Sequence, residues 1–130
     1  MPKKRIIGPI IVKNDFAVQS FGYKKYLPLG KPEILAKNLD RWCVDEIAII
    51  DIDRSKNRLG PNLNLLKKLK NMKLNTPLIY GGGILSYKDA SNIIENGADR
   101  IILENIIHEN LNSVLEIANK IGSQSLIASI

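Results

Sequence analysis

The sequence predicts an α/β fold with parallel strands, on three observations. Short β-branched apolar runs alternate with amphipathic helical patterns along the whole chain. The runs are nearly continuous in hydrophobicity, as strands covered on both faces must be. Cap and turn residues mark most changes of pattern. The first run, Arg5–Val12, follows a basic start and leads into Asp15–Lys31, the longest irregular stretch. In a parallel α/β protein such a loop lies at the C-terminal ends of the strands, where ligands bind. Pro32 suits the first position of a helix, with Ile34, Leu35, Leu39 and Trp42 on one side. Cys43, in the same pattern, reads as a buried packing residue. Glu46–Ile52 is the second strand. Pro61 opens a second helix, with Leu63, Leu65, Leu66 and Leu69 inward and its lysines toward water. Thr76–Tyr80 is the third strand. Ser86 and Asp89 form a capping box for a helix carrying Ala90, Ile93 and Ile94 and stopping at Gly97. Asp99–Leu103 is the fourth strand. Asn110 caps a last helix, with Leu111, Val114, Leu115, Ala118 and Ile121, ending at Gly122, and Ser125–Ile130 is the fifth strand.

The order β-α-β-α-β-α-β-α-β demands parallel strands joined by helical crossovers. Two architectures fit it. One is a complete doubly wound five-stranded sheet. The other is half of a (β/α)8 TIM barrel, four βα units plus a fifth strand, where a whole barrel needs about 250 residues. The final SQSLIASI stops inside an apolar strand, and an exposed strand edge is a liability. The expectation is a single N-terminal half-barrel over residues 1–130, truncated relative to a full barrel or living as an assembly of half-barrels.

Composition narrows the function. With 130 residues, 45% apolar and 25% charged, the chain is one globular domain and not a disordered segment. No apolar run approaches the ~20 residues that span a bilayer. The basic-then-apolar start lacks a small-residue cleavage site, so a cytoplasmic location is expected. One cysteine, Cys43, leaves no internal disulfide and no cysteine-based metal site. One histidine, His108, leaves no metal centre of several imidazoles, and no cofactor is expected. The net charge of +6 is spread over separate lysine and arginine clusters with little aromatic interleaving. That pattern suits a solvated surface better than a nucleic-acid interface.

Three features could carry chemistry. Gly81-Gly82-Gly83 ends the third strand before a capped helix, so bare N–H groups and a helix N-terminus could hold a phosphorylated small molecule. The same run could be only a tight strand-to-helix turn. Asp51 and Asp53 sit at the C-terminal end of the second strand, on one side of it, where a carboxylate can do acid–base work. A salt bridge to Arg54 or Arg58 is the structural alternative. His108, after the fourth strand, reads as a surface residue.

Five segments in register carry a resemblance: KRIIGPIIVKND, GKPEILAKNLDRWCVDEIAIIDID, TPLIYGGGI, GADRIILEN and IGSQSLIASI. In order and spacing they resemble the first half of the cyclase subunit of imidazole glycerol phosphate synthase, from about Lys4 to Ile130. The resemblance implies a (β/α)8 barrel that receives ammonia from a glutaminase partner through its core. Its expected reaction cyclises a two-phosphate ribulosyl substrate to imidazole glycerol phosphate and an aminoimidazole nucleotide, in histidine and purine metabolism.

The departures shape the expectation. The family's acid/base aspartate at the end of the first strand corresponds to Ile11, which cannot transfer a proton, and Asp15 lies four residues later. A family lysine corresponds to Gln19. An Asn-Thr phosphate pair corresponds to Glu104-Asn105, which sets a carboxylate where it repels a phosphate dianion. The family's second essential aspartate would follow Ile130. Retained by resemblance are an ammonia gate of Arg5, Glu46 and Arg100 (a family lysine), and Asp99 at the glutaminase-facing surface. Asp51 and Gly81–Gly83 are retained too. The resemblance thus implies a divergent member that keeps its barrel floor and lacks cyclase chemistry, acting with a glutaminase in ammonia transfer. Two alternatives stand beside it: an active cyclase subunit, with Asp51 in a catalytic role, and a non-catalytic phosphate-binding module. Self-association of half-barrels is expected, because open sheet edges and an unfilled interior favour burial by ~25 cal/mol per Å² of apolar area.

Overall fold

The computed structural model describes residues 2–130. In chain order the strands are β1 (Ile7–Lys13), β2 (Phe16–Phe21), β3 (Lys25–Gly30), β4 (Glu46–Asp51), β5 (Leu78–Gly81), β6 (Arg100–Leu103) and β7 (Leu126–Ala128). The helices are α1 (Pro32–Arg41), α2 (Leu63–Asn71), α3 (Tyr87–Glu95), α4 (Asn105–Glu109) and α5 (Leu111–Ile121). The strands form one open sheet of order β3-β2-β1-β4-β5-β6-β7. The five parallel strands, β1 and β4 to β7, run in chain order without reversal. A doubly wound sheet reverses its order at a switch point. This sheet does not, so its parallel part has the topology of half a barrel.

The Asp15–Lys31 stretch corrects the expected loop. It is an antiparallel hairpin, β2–β3, joined to β1 only at Val12–Ala17 and Lys13–Phe16. The tight turn into it uses Asn14 and Asp15 in the left-handed region, at φ +48° and +63°. Both residue types tolerate that conformation. Pro28 is admitted because β3 is the outer strand, where a missing N–H breaks no ladder bond.

Helices cover one face of the parallel strands. Ile10 and Val12, Ile47 and Ile49, and Tyr80 and Ile101 alternate onto that face. They pack under Leu65, Leu66 and Leu69 of α2, Ala90 and Ile93 of α3 and Ile117 of α5. The opposite face has Pro9, Ile11, Ala48, Ile50, Ile79, Gly81, Ile102 and Ile127 as its register neighbours. Among the described residues, no helix covers it.

The caps largely follow the sequence. Pro32 begins α1, Ser86 Oγ accepts from Asp89 N–H, and Asn110 accepts from Ser113 N–H. α2 differs: its cap is Asn62, whose side chain accepts from Leu65 N–H, and Pro61 precedes the cap. Two expected core residues of α1 are corrected. Ile34 lies beside the stripe formed by Leu35, Ala36 and Leu39, and Trp42 falls where the helix has already ended. Both are exposed, Trp42 at 74%. Cys43 is exposed as well, because it sits in the turn after the helix at φ +58° and not within it. Leu111 and Leu115 of α5 face outward, since α5 buries only Ile117 fully. Among the described residues, no helix is long and apolar enough to cross a membrane.

Candidate functional site

At the lower, N-terminal ends of the strands, Glu46 is the first residue of β4 and is buried at 4% exposure. A carboxylate there needs compensation. Arg5, just before β1, donates to Glu46 Oε1 at 3.1 Å, and Arg100, first in β6, donates to Oε2. Burial pushes the Glu46 carboxyl up, but the hydrogen bonds and charges of Arg100 and Arg5 outweigh it and hold the pKa below the usual carboxylate range. The structure therefore brings together the three residues expected at the floor. Asp99 is close by on the same rim, exposed, with Oδ2 accepting the Leu78 N–H at 2.8 Å.

Asp40 ties the same rim. Its Oδ1 accepts from Asn75 N–H at 3.0 Å, Thr76 N–H at 2.8 Å and Thr76 Oγ1 at 2.7 Å. The Thr76 hydroxyl is the main reason its pKa lies below the ordinary value.

At the upper, C-terminal ends, Asp51 closes β4. It aligns with Val12, so it points to the helix side, and is buried at 2% exposure. Asn62 Nδ2 donates to Asp51 Oδ2 at 3.0 Å and to Asp15 Oδ1 at 2.8 Å. The Asn62 backbone N–H donates to the Tyr80 hydroxyl at 2.8 Å. One buried asparagine thus caps α2 and links β4, β5 and the hairpin turn. Sequence reasoning missed it; an asparagine after proline signals only a turn or a cap.

Asp53 lies just past β4, and its Oδ2 accepts the Asn14 N–H at 3.0 Å. Its carboxyl meets that of Asp51. Burial, then the contact with Asp53, pushes the Asp51 pKa up to about 7. Burial acts in the same direction on Asp53, but the hydrogen bonds from Asp51 and the Asn14 amide win and hold it low. Arg54 pairs with neither aspartate: it donates to the carbonyls of Gly60 and Pro61, at 3.0 and 3.3 Å. Arg58 pairs with exposed Glu109 at 3.9 Å. Burial, first of all, also raises the Tyr80 pKa above its ordinary value.

The triple-glycine turn lies beside Asp51. Its glycines have a packing reason. A Cβ on Gly82 would overlap the Asp51 carbonyl oxygen, and one on Gly83 would overlap the Gly60 carbonyl oxygen. Both have positive φ, +129° and +72°. A Cβ on Gly81 would stand 2.9 Å from Ile102 Cβ. The Gly83 N–H donates to Ser55 Oγ at 2.9 Å. A cleft of about 120 Å³ sits here. Its polar side chains are Asp51, Ser55, Glu104 and Asn105, and no lysine, arginine or histidine lines it. Ile11 stands on the helix-free face, beside Ile50, which in turn pairs with Gly81. His108 lies exposed on α4, away from this lining.

Comparison with known proteins agrees with this arrangement. The sequence profile of the family described as "Histidine biosynthesis protein" matches residues 5–130. The chain is 32% identical over 130 residues to the imidazole glycerol phosphate synthase subunit HisF of Pyrococcus furiosus. It is 33% identical over 130 residues to the subunit of the same name from Staphylococcus carnosus. Each alignment covers 100% of this chain and 51% of the relative. The chain spans about half the length of the curated relatives it matches. A sheet in sequential order, a floor of paired charges and a profile match over nearly every residue lead to one conclusion: this chain belongs to the histidine biosynthesis protein family, as a HisF-like half-barrel.

Proposed function

We propose that the chain is the N-terminal half of a divergent cyclase-type subunit that lacks cyclase chemistry and acts with a glutaminase in ammonia transfer. The observation that supports this reading most is the contrast between its two rims. At the upper rim, the helix-free face presents Ile11 beside Ile50, where the resemblance calls for an acid/base carboxylate. At the lower rim, Arg5, Glu46 and Arg100 form a closed ion cluster next to Asp99. A hydrocarbon cannot move a proton, whereas paired charges of both signs can line a polar passage.

The test is made on the protein as its gene encodes it. Mixed with a glutaminase, it should co-purify and raise glutamine hydrolysis at least several-fold. It should form no imidazole glycerol phosphate from the ribulosyl substrate with ammonium salts. Asp99→Asn should weaken the association; unchanged pairing would count against the conduit reading.

A second reading is an active cyclase, and the Asp51 pKa of about 7 favours it. A carboxyl poised near neutral pH suits general acid–base work. Product formation with ammonium salts, abolished by Asp51→Asn, would establish this reading instead. The phosphate-binding reading of Gly81–Gly83 has weaker support. One of its N–H groups is already bonded to Ser55, and the cleft is lined by two acidic side chains and no basic one.

Self-association of half-barrels belongs to the proposal for the 130-residue chain alone. Among the described residues, β1 has no partner along Ile7–Ile11 on its hairpin side, and β7 ends the sheet. Ile7 is 46% exposed and the helix-free face is apolar. Sedimentation should show a dimer or larger species. A sharply monomeric, cooperatively unfolding chain would refute it.

A further inference from the structure

The upper rim holds an arrangement that the ammonia-transfer reading does not use. Asp51 Oδ1 and Asp53 Oδ1 are both buried without a hydrogen-bond partner if both groups are carboxylates. Yet the two carboxyls are in contact. Two carboxylates offer no donor, and like charges this close are repulsive. One proton removes both difficulties, because the acid O–H donates to the facing carboxylate.

The remaining oxygens face the hairpin turn. Asp53 Oδ2 holds the Asn14 N–H, while Asp51 Oδ2 and Asp15 Oδ1 share the Asn62 amide. Asn14 and Asp15 are the left-handed turn residues between β1 and β2. We propose that Asp51 and Asp53 form a one-proton carboxyl pair that fastens the β1–β2 turn to the loop after β4, and that loss of this proton loosens the turn.

The surroundings suit one retained negative charge. Lys13 at the end of β1 and Arg54 in the loop are positive. Asp15 adds a carboxylate beyond Asn62, Tyr80 faces the pair from β5, and Glu104 stands across the cleft. These groups and the burial fix the sign of the pH effect. With the turn closed, the pair keeps its proton to about pH 7. With the turn open, the carboxyls titrate near their ordinary values of about 4. Opening therefore releases a proton between those limits, so closure weakens as pH rises from about 4 to 7 and is then level.

Amide hydrogen exchange at Asn14 in the intact 130-residue chain tests this. After correction for the intrinsic pH dependence of exchange, protection should fall at least tenfold between pH 5 and pH 7 and change little above. Carbon-13 carboxyl spectra should show one aspartate titrating near pH 7. In Asp51→Asn and in Asp53→Asn an amide N–H takes the place of the acid O–H, so the contact survives without the proton. Protection at Asn14 should then be flat from pH 5 to 8, within about threefold. In Asp53→Asn the Asp51 midpoint should drop by at least one unit. Flat protection in the wild-type chain, or both carboxyls titrating below pH 5, would overturn the proposal. So would amide variants that keep the wild-type pH profile. The wild-type measurements stand alone should either variant fail to fold.

Discussion

Gly83→Ala should lower stability by about 3–5 kcal/mol, a large share of the ~5–15 kcal/mol that holds a domain of this size. The added methyl would meet the Gly60 carbonyl and stand 2.9 Å from the Pro61 nitrogen. Both are backbone atoms, in a loop held by Arg54 through the Gly60 and Pro61 carbonyls. Neither can swing aside as a side chain can. The φ of +72° adds roughly 1–2 kcal/mol of left-handed strain. Gly22 provides the control. It has φ +58°, but a methyl added there would have nothing within 4 Å, so Gly22→Ala should cost only the strain. Denaturant midpoints of the two variants measure the difference. Equal losses would mean that the close approach at Gly83 contributes nothing. A phosphate-binding assay on a Gly82 or Gly83 variant must be read against this, because either substitution damages packing whatever the turn binds.

Glu46→Ala should cost about 3 kcal/mol, from the loss of the carboxylate between two arginines. Removing one partner of a buried pair ordinarily costs ~3–5 kcal/mol. The lower end applies here because the Arg5 side chain is 65% exposed and solvent screens it. Arg100, with its side chain at 29%, bears most of the loss. The pH dependence has a definite sign. The Glu46 pKa is lowered in the folded chain. Its stabilisation is therefore full above the unfolded value of about 4.5 and disappears as pH falls through the lower folded value. Urea unfolding of wild type and Glu46→Ala should differ at pH 7 and converge in acid. A difference that stays constant down to pH 3 would show that the ion cluster is not its source. Replacing Glu46 and Arg100 together by leucine should recover much of the loss, as apolar substitutes for buried ion pairs do.

The parts of the fold that were legible are those written in local pattern. Continuous apolar runs located β1, β4, β5, β6 and β7 to within a few residues. Ser86, Asn110 and Pro32 located three helix starts. The β2–β3 hairpin was not legible. Its second strand, KYLPLG, mixes proline and lysine with exposed apolar residues, as an outer strand can. Nor were the tertiary bonds of the site. Asn62 meets Asp15 across 47 residues, and Asp40 meets Thr76 across 36. Nothing in a one-dimensional pattern pairs such positions. The glycine run was visible in the sequence, but the backbone it presses against was not. Glu46, Arg5 and Arg100 were found through resemblance, and their contact then appeared in the folded chain.

The two rims are tied by opposite chemistry. Below, carboxylates do the tying: Asp40 on Asn75 and Thr76, and Glu46 on its arginines. Above, the bond between Asp51 and Asp53 lasts only while one of them stays protonated. Acidification from pH 7 to about 4 thus tightens the roof and spares the floor, and only further acid, below about 4, frays the floor. The half-barrel has a polarity in its response to protons that no uniform loss of packing would produce.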